Sequence, residues 1–270
     1  ITSMPFSYSY MMSILNSHLE AGASIYITNK SIMQKDFWDV FKKNKITTLS
    51  GVPYMYQFFL KIGLKKIFNR SLKMLTQAGG HLENKLKNQI INFCEKNNIK
   101  FITMYGQTEA SPRISYLDWN KAKIKNGSIG KSIDSIKMWL ESEDRSIIKT
   151  SGKIGEIVIK GNNVFMGYSK DSKDLVKKDQ NNGILRTGDL GFYDSEGYFF
   201  IQGRIKRIVK VFGIRINLGE LEDKLKKHGY KVVCKNFANQ INVYAGELVS
   251  FSLEATDFDF LQDGSPQSIE

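Results

Sequence analysis

The chain has 270 residues, 41% hydrophobic and 24% charged, with 22 Gly and only 4 Pro. This globular composition excludes collagen-like, low-complexity and wholly disordered chains. Lys and Arg number 39 against 27 Asp and Glu, a formal net charge of +12. No Lys or Arg follows Lys235, while Glu247, Glu254, Asp257, Asp259, Asp263 and Glu270 are acidic, so residues 1–235 carry +18 and the remainder −6.

In chain order, Ala23 to Thr28 reads as a strand and Phe37 to Lys43 as a helix with Phe37, Trp38, Val40 and Phe41 inward. Ile46 to Gly51 reads as a strand, Pro53 to Ile62 as a helix, and Leu72 to Gln77 as a strand closed by Ala78-Gly79-Gly80. Glu83 to Asn97 has Leu86, Ile90, Ile91 and Cys94 at helical spacing, and Lys100 to Met104 follows as a strand. Strands separated by helical patterns imply crossover units and a parallel sheet. After about residue 125 the period shortens. Glu156 to Lys160, Ile184 to Thr187, Gly191 to Tyr193 and Tyr198 to Ile201 read as short strands, with a hairpin turn at Asp194-Ser195-Glu196-Gly197. Arg207 to Val211 and Lys231 to Cys234 read as strands around a helix from Leu218 to His228. The expected class is α/β: a parallel-sheet part with flanking helices, a small antiparallel, barrel-like part, and a partial α+β C-terminal domain.

Four segments carry the chemistry. Met104-Tyr105-Gly106-Gln107-Thr108-Glu109-Ala110 leaves the carboxyl end of a parallel strand, where open α/β sheets place ligands. Gly106 lets backbone approach a ligand, Thr108 offers a hydroxyl to phosphate, Glu109 a hard carboxylate for Mg²⁺, and Tyr105 a ring for stacking. A polar strand exit with a capping threonine fits the same letters. Ala78-Gly79-Gly80-His81 permits a tight turn against a flat ligand, or merely a turn. In Arg186-Thr187-Gly188-Asp189-Leu190 a carboxylate after glycine could accept ribose hydroxyls, each bond to the charged group being worth about 1.5–3 kcal/mol. Gly203 to Gly213 alternates apolar and basic residues, as a solvated edge strand does.

These segments are collinear with Gly155 to Gly161, Gly167-Tyr168 and Gly213 to Glu220. The series, from about Met4 to Glu222, resembles the adenylate-forming (AMP-binding) superfamily of acyl- and aryl-CoA ligases and adenylation domains. Tyr8-Ser9-Tyr10, Ser50 to Tyr54 and Leu75 to Gly80 look most like bacterial acyl ligases of surface-polysaccharide or lipid pathways. The resemblance implies two steps: a carboxylate attacks the α-phosphorus of Mg·ATP, then a thiol of coenzyme A or a carrier protein's phosphopantetheine displaces AMP. It implies that Gly79, Gly80, His81, Tyr105, Gly106 and Gln107 bind AMP. Thr108 would hold the α-phosphate, Glu109 the magnesium, and Asp189 and Arg204 the ribose. Lys206 would be a hinge, Lys210 a catalytic residue of the second step, and Gly213 part of the thiol tunnel. Tyr8, where many relatives carry His, would border the acyl pocket with Val52 and Tyr54; Tyr10 and Met55 are further lining candidates. These apolar and aromatic residues favour a fatty or aryl acid.

The implied organisation is residues 1–203 as part of a large AMP-binding domain, with 1–125 the sheet part and 126–203 β-rich. Residues 204–253 form a partial lid and 254–270 a disordered tail. The family's Ser/Thr/Gly-rich phosphate loop and its C-terminal catalytic lysine are not found in these 270 residues. The chain opens on Ile1 in mid-pattern, so it is expected to be a piece of a longer enzyme, inactive or weakly active alone; a non-catalytic nucleotide- or carrier-binding remnant is the alternative. Two cysteines outside any CxxC and three scattered histidines give no disulfide framework and no zinc spacing. With no apolar run of membrane-spanning length, the expected setting is the cytoplasm. The basic body suits nucleotides, coenzyme A or an acidic acyl carrier protein. A nucleic-acid-binding module is the rival reading, but no helix-turn-helix, RNA-recognition or zinc motif supports it.

Overall fold

A computed structural model describes residues 1–67, 69–211, 214–230, 232–237, 240–245 and 249–253. It has two compact units, one of residues 1–187 and 191–201, the other of 188–190 and 202–270. The first unit opens with α1 (Ser9–Glu20), whose Tyr10, Met11 and Ile14 are buried at helical spacing. Helix α2 (Lys35–Lys43) buries Phe37 and Phe41, one turn apart, with Trp38 packed beside them. Strand β1 (Thr48–Gly51) leads to α3 (Pro53–Ile62), which starts on Pro53, a residue with a preset φ and no N–H to leave unsatisfied. A single turn, α4 (Leu64–Ile67), precedes β2 (Met74–Gln77), α5 (Asn84–Lys96) and β3 (Lys100–Gly106).

Strands β1, β2 and β3 pair in parallel, as the alternation of strands and helices requires. The chain then changes mode through β4 (Arg113–Leu117), β5 (Ser128–Ser132), β6 (Lys137–Glu141), β7 (Ile147–Ile148), β8 (Gly155–Lys160), β9 (Ile184–Tyr193) and β10 (Phe199–Arg204). Strand β4 pairs antiparallel with β3 and carries the hydrogen bonding into the later strands. The ladder runs β1-β2-β3-β4-β5-β10-β9-β8-β6-β7. The α/β class is therefore the expected one, with its parallel and antiparallel parts joined in one ladder. Separate apolar clusters support the two parts, one around Phe37, Phe59 and Ile90, the other around Ile114, Leu140 and Ile157.

Two expectations are corrected. Residues 23–28 form no strand: Thr2 bonds them only through its backbone N–H to Tyr26 and its hydroxyl to Thr28, too little for a ladder. The two strands expected at 184–187 and 191–193 are one, because Gly188 takes φ +71° without leaving the ladder. The hairpin after β9 turns at Gly197, with φ +79° and its N–H on the Asp194 carbonyl.

In the second unit β11 (Ile208–Val211) pairs antiparallel with β12 (Ile214–Asn217), followed by α6 (Leu218–Lys227). Asn217 caps α6 by accepting from the Gly219 N–H, and Lys224, Lys226 and Lys227 occupy the last turn, where the helix dipole favours cations. Strands β13 (Val232–Phe237), β14 (Gln240–Ala245) and β15 (Val249–Leu253) form an antiparallel sheet. The buried Glu222 accepts from Arg207 Nη2 at 2.6 Å and from the Cys234 N–H at 2.8 Å, tying the turn before β11, helix α6 and β13 together. The expected tail at 254–270 lies outside the described residues.

Candidate functional site

Strands β1 and β2 end level at Gly51 and Gln77, β3 runs on from the level of Thr103 to Gly106, and α1 begins beside these ends. Gly79 has φ +78°, and a Cβ there would lie 2.3 Å from the Tyr8 hydroxyl and 3.1 Å from Val52 Cγ1. Glycine at 79 thus answers both a left-handed backbone and a close approach. Gly80 faces Pro53. On the next loop Thr108 opens a short 3-10 turn, and its hydroxyl lies 3.0 Å from that of Ser9 in the first turn of α1. That turn contains no acidic residue, so the positive end of the helix faces the Thr108 hydroxyl uncompensated. Tyr8, Ser9, Val52, Gly79 and Thr108 are thereby brought together within the first unit.

The loop carrying Thr108 is held from both sides. Glu109 accepts from the Tyr168 hydroxyl at 2.6 Å, and its backbone carbonyl accepts from the Phe165 N–H. The neighbouring carboxylate pushes the Tyr168 phenol pKa upward. Asn163 donates to the Ala110 and Arg113 carbonyls. Gly106 sits where a Cβ would lie 1.5 Å from the Pro112 carbonyl oxygen, so backbone closes on backbone there. Gln107 donates to the Thr187 carbonyl at 2.9 Å, joining the loop to β9 two residues before Asp189. Tyr105 is buried against Ala110 and Ile114, leaving little of its ring exposed.

In the second unit, the 2% exposed Asp189 accepts from Arg204 Nε at 2.7 Å. The two expected ribose ligands are therefore partners of each other. Lys206 is exposed in the turn after β10, and Lys210 stands on β11 opposite Arg215. Gly213 lies outside the described residues, and His81 is exposed at the start of the segment leading to α5. Tyr54 is not brought to Tyr8 and Gly79: its exposed ring turns to Met33, with the hydroxyl 4.0 Å from Sδ. A cavity of about 700 Å³ opens at the opposite ends of the parallel strands, beside Thr47, Met74, Phe101 and Trp119, and none of the candidate residues lines it.

Sequence reasoning did not single out Ser9, Asn163 or Tyr168 as site residues. Tyr168 stood only as a letter in the collinear series, since nothing local ties it to Glu109, 59 residues away. Ser9 shows its role only when α1 is placed on the strand ends.

Within the first unit, the hydroxyls of Ser9 and Thr108 and the positive end of α1 are groups that suit a phosphate; within the second, Asp189 and Arg204 satisfy each other. Among the described residues no three His, Cys, Asp or Glu cluster, so a magnesium ion here would take Glu109 together with phosphate oxygens. No helix of the described residues is long and apolar enough to cross a membrane.

A mixed sheet with Gly79, Gly80 and Gly106 beyond or at the carboxyl ends of its parallel strands defines an α/β protein of the open-sheet class. The model of the AMP-binding enzyme family matches residues 1–169, and the chain belongs to that family. It is 31% identical over 197 residues to probable 4-coumarate–CoA ligase 3 of Dictyostelium discoideum, covering 71% of this chain and 34% of that protein. It is 28% identical over 210 residues to indoleacetate–CoA ligase of Aromatoleum aromaticum, covering 77% and 39%. The fold superimposes on o-succinylbenzoate CoA synthetase from Bacillus subtilis in complex with its acyl-adenylate intermediate. That match has a TM-score of 0.75 and 22% identity, over 98% of this chain and 54% of that one. The chain spans about 40% of the length of the curated relatives it matches.

Proposed function

We propose that the chain belongs to an AMP-forming acid–thiol ligase, that its first unit binds Mg·ATP and a carboxylic acid, and that coenzyme A is the acceptor. The observation that carries this is the meeting of Tyr8, Ser9, Gly79 and Thr108 where the parallel strands end. In this reading the acid's carboxylate lies at the start of α1, and Thr108 holds the α-phosphate in line for attack. Glu109, fixed by Tyr168, would hold a magnesium ion, which would supply charge neutralisation at the phosphates. Catalysis is then mainly positioning and charge stabilisation. Asp189 and Arg204 serve the ribose. Lys206, Lys210 and Gly213 serve the thiol step, in which a hinged lid would change pose. An aryl acid is favoured over a fatty one, because the relatives named above are coumarate and indoleacetate ligases.

Thermal unfolding of the chain with and without Mg·ATP tests this. ATP at 100 times its Kd should stabilise the chain by about 2.7 kcal/mol. Glu109→Ala should lower the Mg·ATP affinity at least tenfold and leave the far-UV spectrum unchanged. No thermal protection by millimolar Mg·ATP, or undiminished protection in Glu109→Ala, overturns the reading.

A further inference from the structure

Behind the loop of Thr108 and Glu109 lies a cation that the proposed reaction does not use. Arg113 opens β4 opposite Gly106, and its side chain reaches α1, with Nη2 3.4 Å from the Ser17 hydroxyl. Its Nε is buried with no hydrogen-bond partner among the described residues. None of the ion pairs among those residues includes it. Tyr10 supplies no counter-charge: burial pushes its phenol up to about 12, and its hydroxyl is engaged by Thr76 at 2.7 Å. By contrast, the buried Glu141 of the same unit is paired with Arg186, and Lys125 with Asp194. The side chain is half-buried, and a guanidinium whose Nε is shut off from water with no carboxylate beside it is costly, so a position that keeps one invites an anion. Near it, Tyr10, Ile14, Tyr8 and Met104 form one apolar cluster under α1. That helix therefore carries hydroxyls and its positive end at Ser9, apolar side chains along its length, and a cation at Ser17.

We infer that Arg113 is a specificity-determining residue: it takes a second carboxylate at the far end of a dicarboxylic acid whose first carboxylate is the one activated beside Thr108. The inference rests on the proposed ligase reading and names its substrate class. Guanidinium and carboxylate match in a fork of two parallel hydrogen bonds, which gives geometry as well as charge. A monocarboxylic acid of equal length would leave the cation uncompensated.

Calorimetric titration of the whole chain, saturated with AMP, tests this with pentanedioate to decanedioate, each against the monocarboxylate of the same length. At the best-fitting length the diacid should bind at least tenfold tighter. Arg113→Met should abolish that ratio, Arg113→Lys should retain part of it, and AMP affinity should stay unchanged in both. Because it removes an unpaired cation, Arg113→Met should melt at or above the parent temperature. A ratio near one at every length, or a ratio unchanged in Arg113→Met, overturns the inference while AMP binding still upholds the ligase reading. Equal loss of diacid and monoacid binding in Arg113→Met also overturns it, since the arginine would then hold the reacting carboxylate. If the parent chain binds no AMP, the ligase reading fails and takes this inference with it.

Discussion

A methyl group at position 106 would lie 1.5 Å from the Pro112 carbonyl oxygen; at position 79 it would lie 2.3 Å from the Tyr8 hydroxyl. The first clash is with the backbone just before β4, where Gly106 pairs with Arg113, and only separation of the two segments relieves it. The second is with the tip of a side chain, which can swing away. Gly106→Ala should therefore cost about 2–4 kcal/mol and lower the melting temperature. Gly79→Ala should cost about 1–2 kcal/mol for its left-handed backbone, while displacing Tyr8 and weakening Mg·ATP binding. Denaturant titrations of both variants, with nucleotide titrations alongside, check the contrast; equal stability losses would contradict it. The sequence shows both as glycines after strands and cannot tell them apart. What separates them is which atom the fold brings opposite each.

Helix α5 places Lys87 on the face that buries Ile90, Ile91 and Cys94, and leaves that lysine only 4% exposed. Burial lowers its pKa from 10.5 to about 8. Below pH 8 the side chain is charged in both folded and unfolded chains. Between pH 8 and 10.5 only the unfolded chain holds the proton, so this lysine's cost to stability shrinks as pH rises and is gone above 10.5. At about 1.4 kcal/mol per pKa unit, Lys87→Met should stabilise the protein by up to about 3 kcal/mol at pH 7. Chemical denaturation of both proteins at pH 7 and pH 10 should show that advantage narrowing; a constant or widening difference would sink it. Elements were legible where the chain itself fixes them. Pro53 sets the start of α3, and the spacing of Ile90, Ile91 and Cys94 specifies α5. Alternation at Ala23 to Thr28 could not reveal that the segment lacks a ladder, and Gly188 looked like a turn because a positive φ inside a strand leaves the same letter. Helix α1 went unread, although Tyr10, Met11 and Ile14 carry its period.

Across the whole molecule the net charge of +12 acts as self-repulsion. Raising sodium chloride from about 20 to about 300 mM shortens the Debye length severalfold. It should stabilise the protein by about 1 kcal/mol, or some 2–4 °C in melting temperature. The same salt should weaken Mg·ATP, whose phosphates are drawn to the basic body. A scanning-calorimetry series in salt, with and without Mg·ATP, reads both, and a melting temperature that falls with salt would contradict the first.

By itself the sequence determined the α/β class, the parallel order of β1 to β3, most helices and the strand-end segments on which the family resemblance rests. These follow from periods and turn residues that act over a few positions. Tertiary structure alone decided that Ser9 meets Thr108, that Tyr168 holds Glu109, that Asp189 pairs with Arg204, and that Lys87 and the Nε of Arg113 are withdrawn from water. Each depends on elements distant in the chain, and burial and pairing are properties of the neighbours that packing supplies.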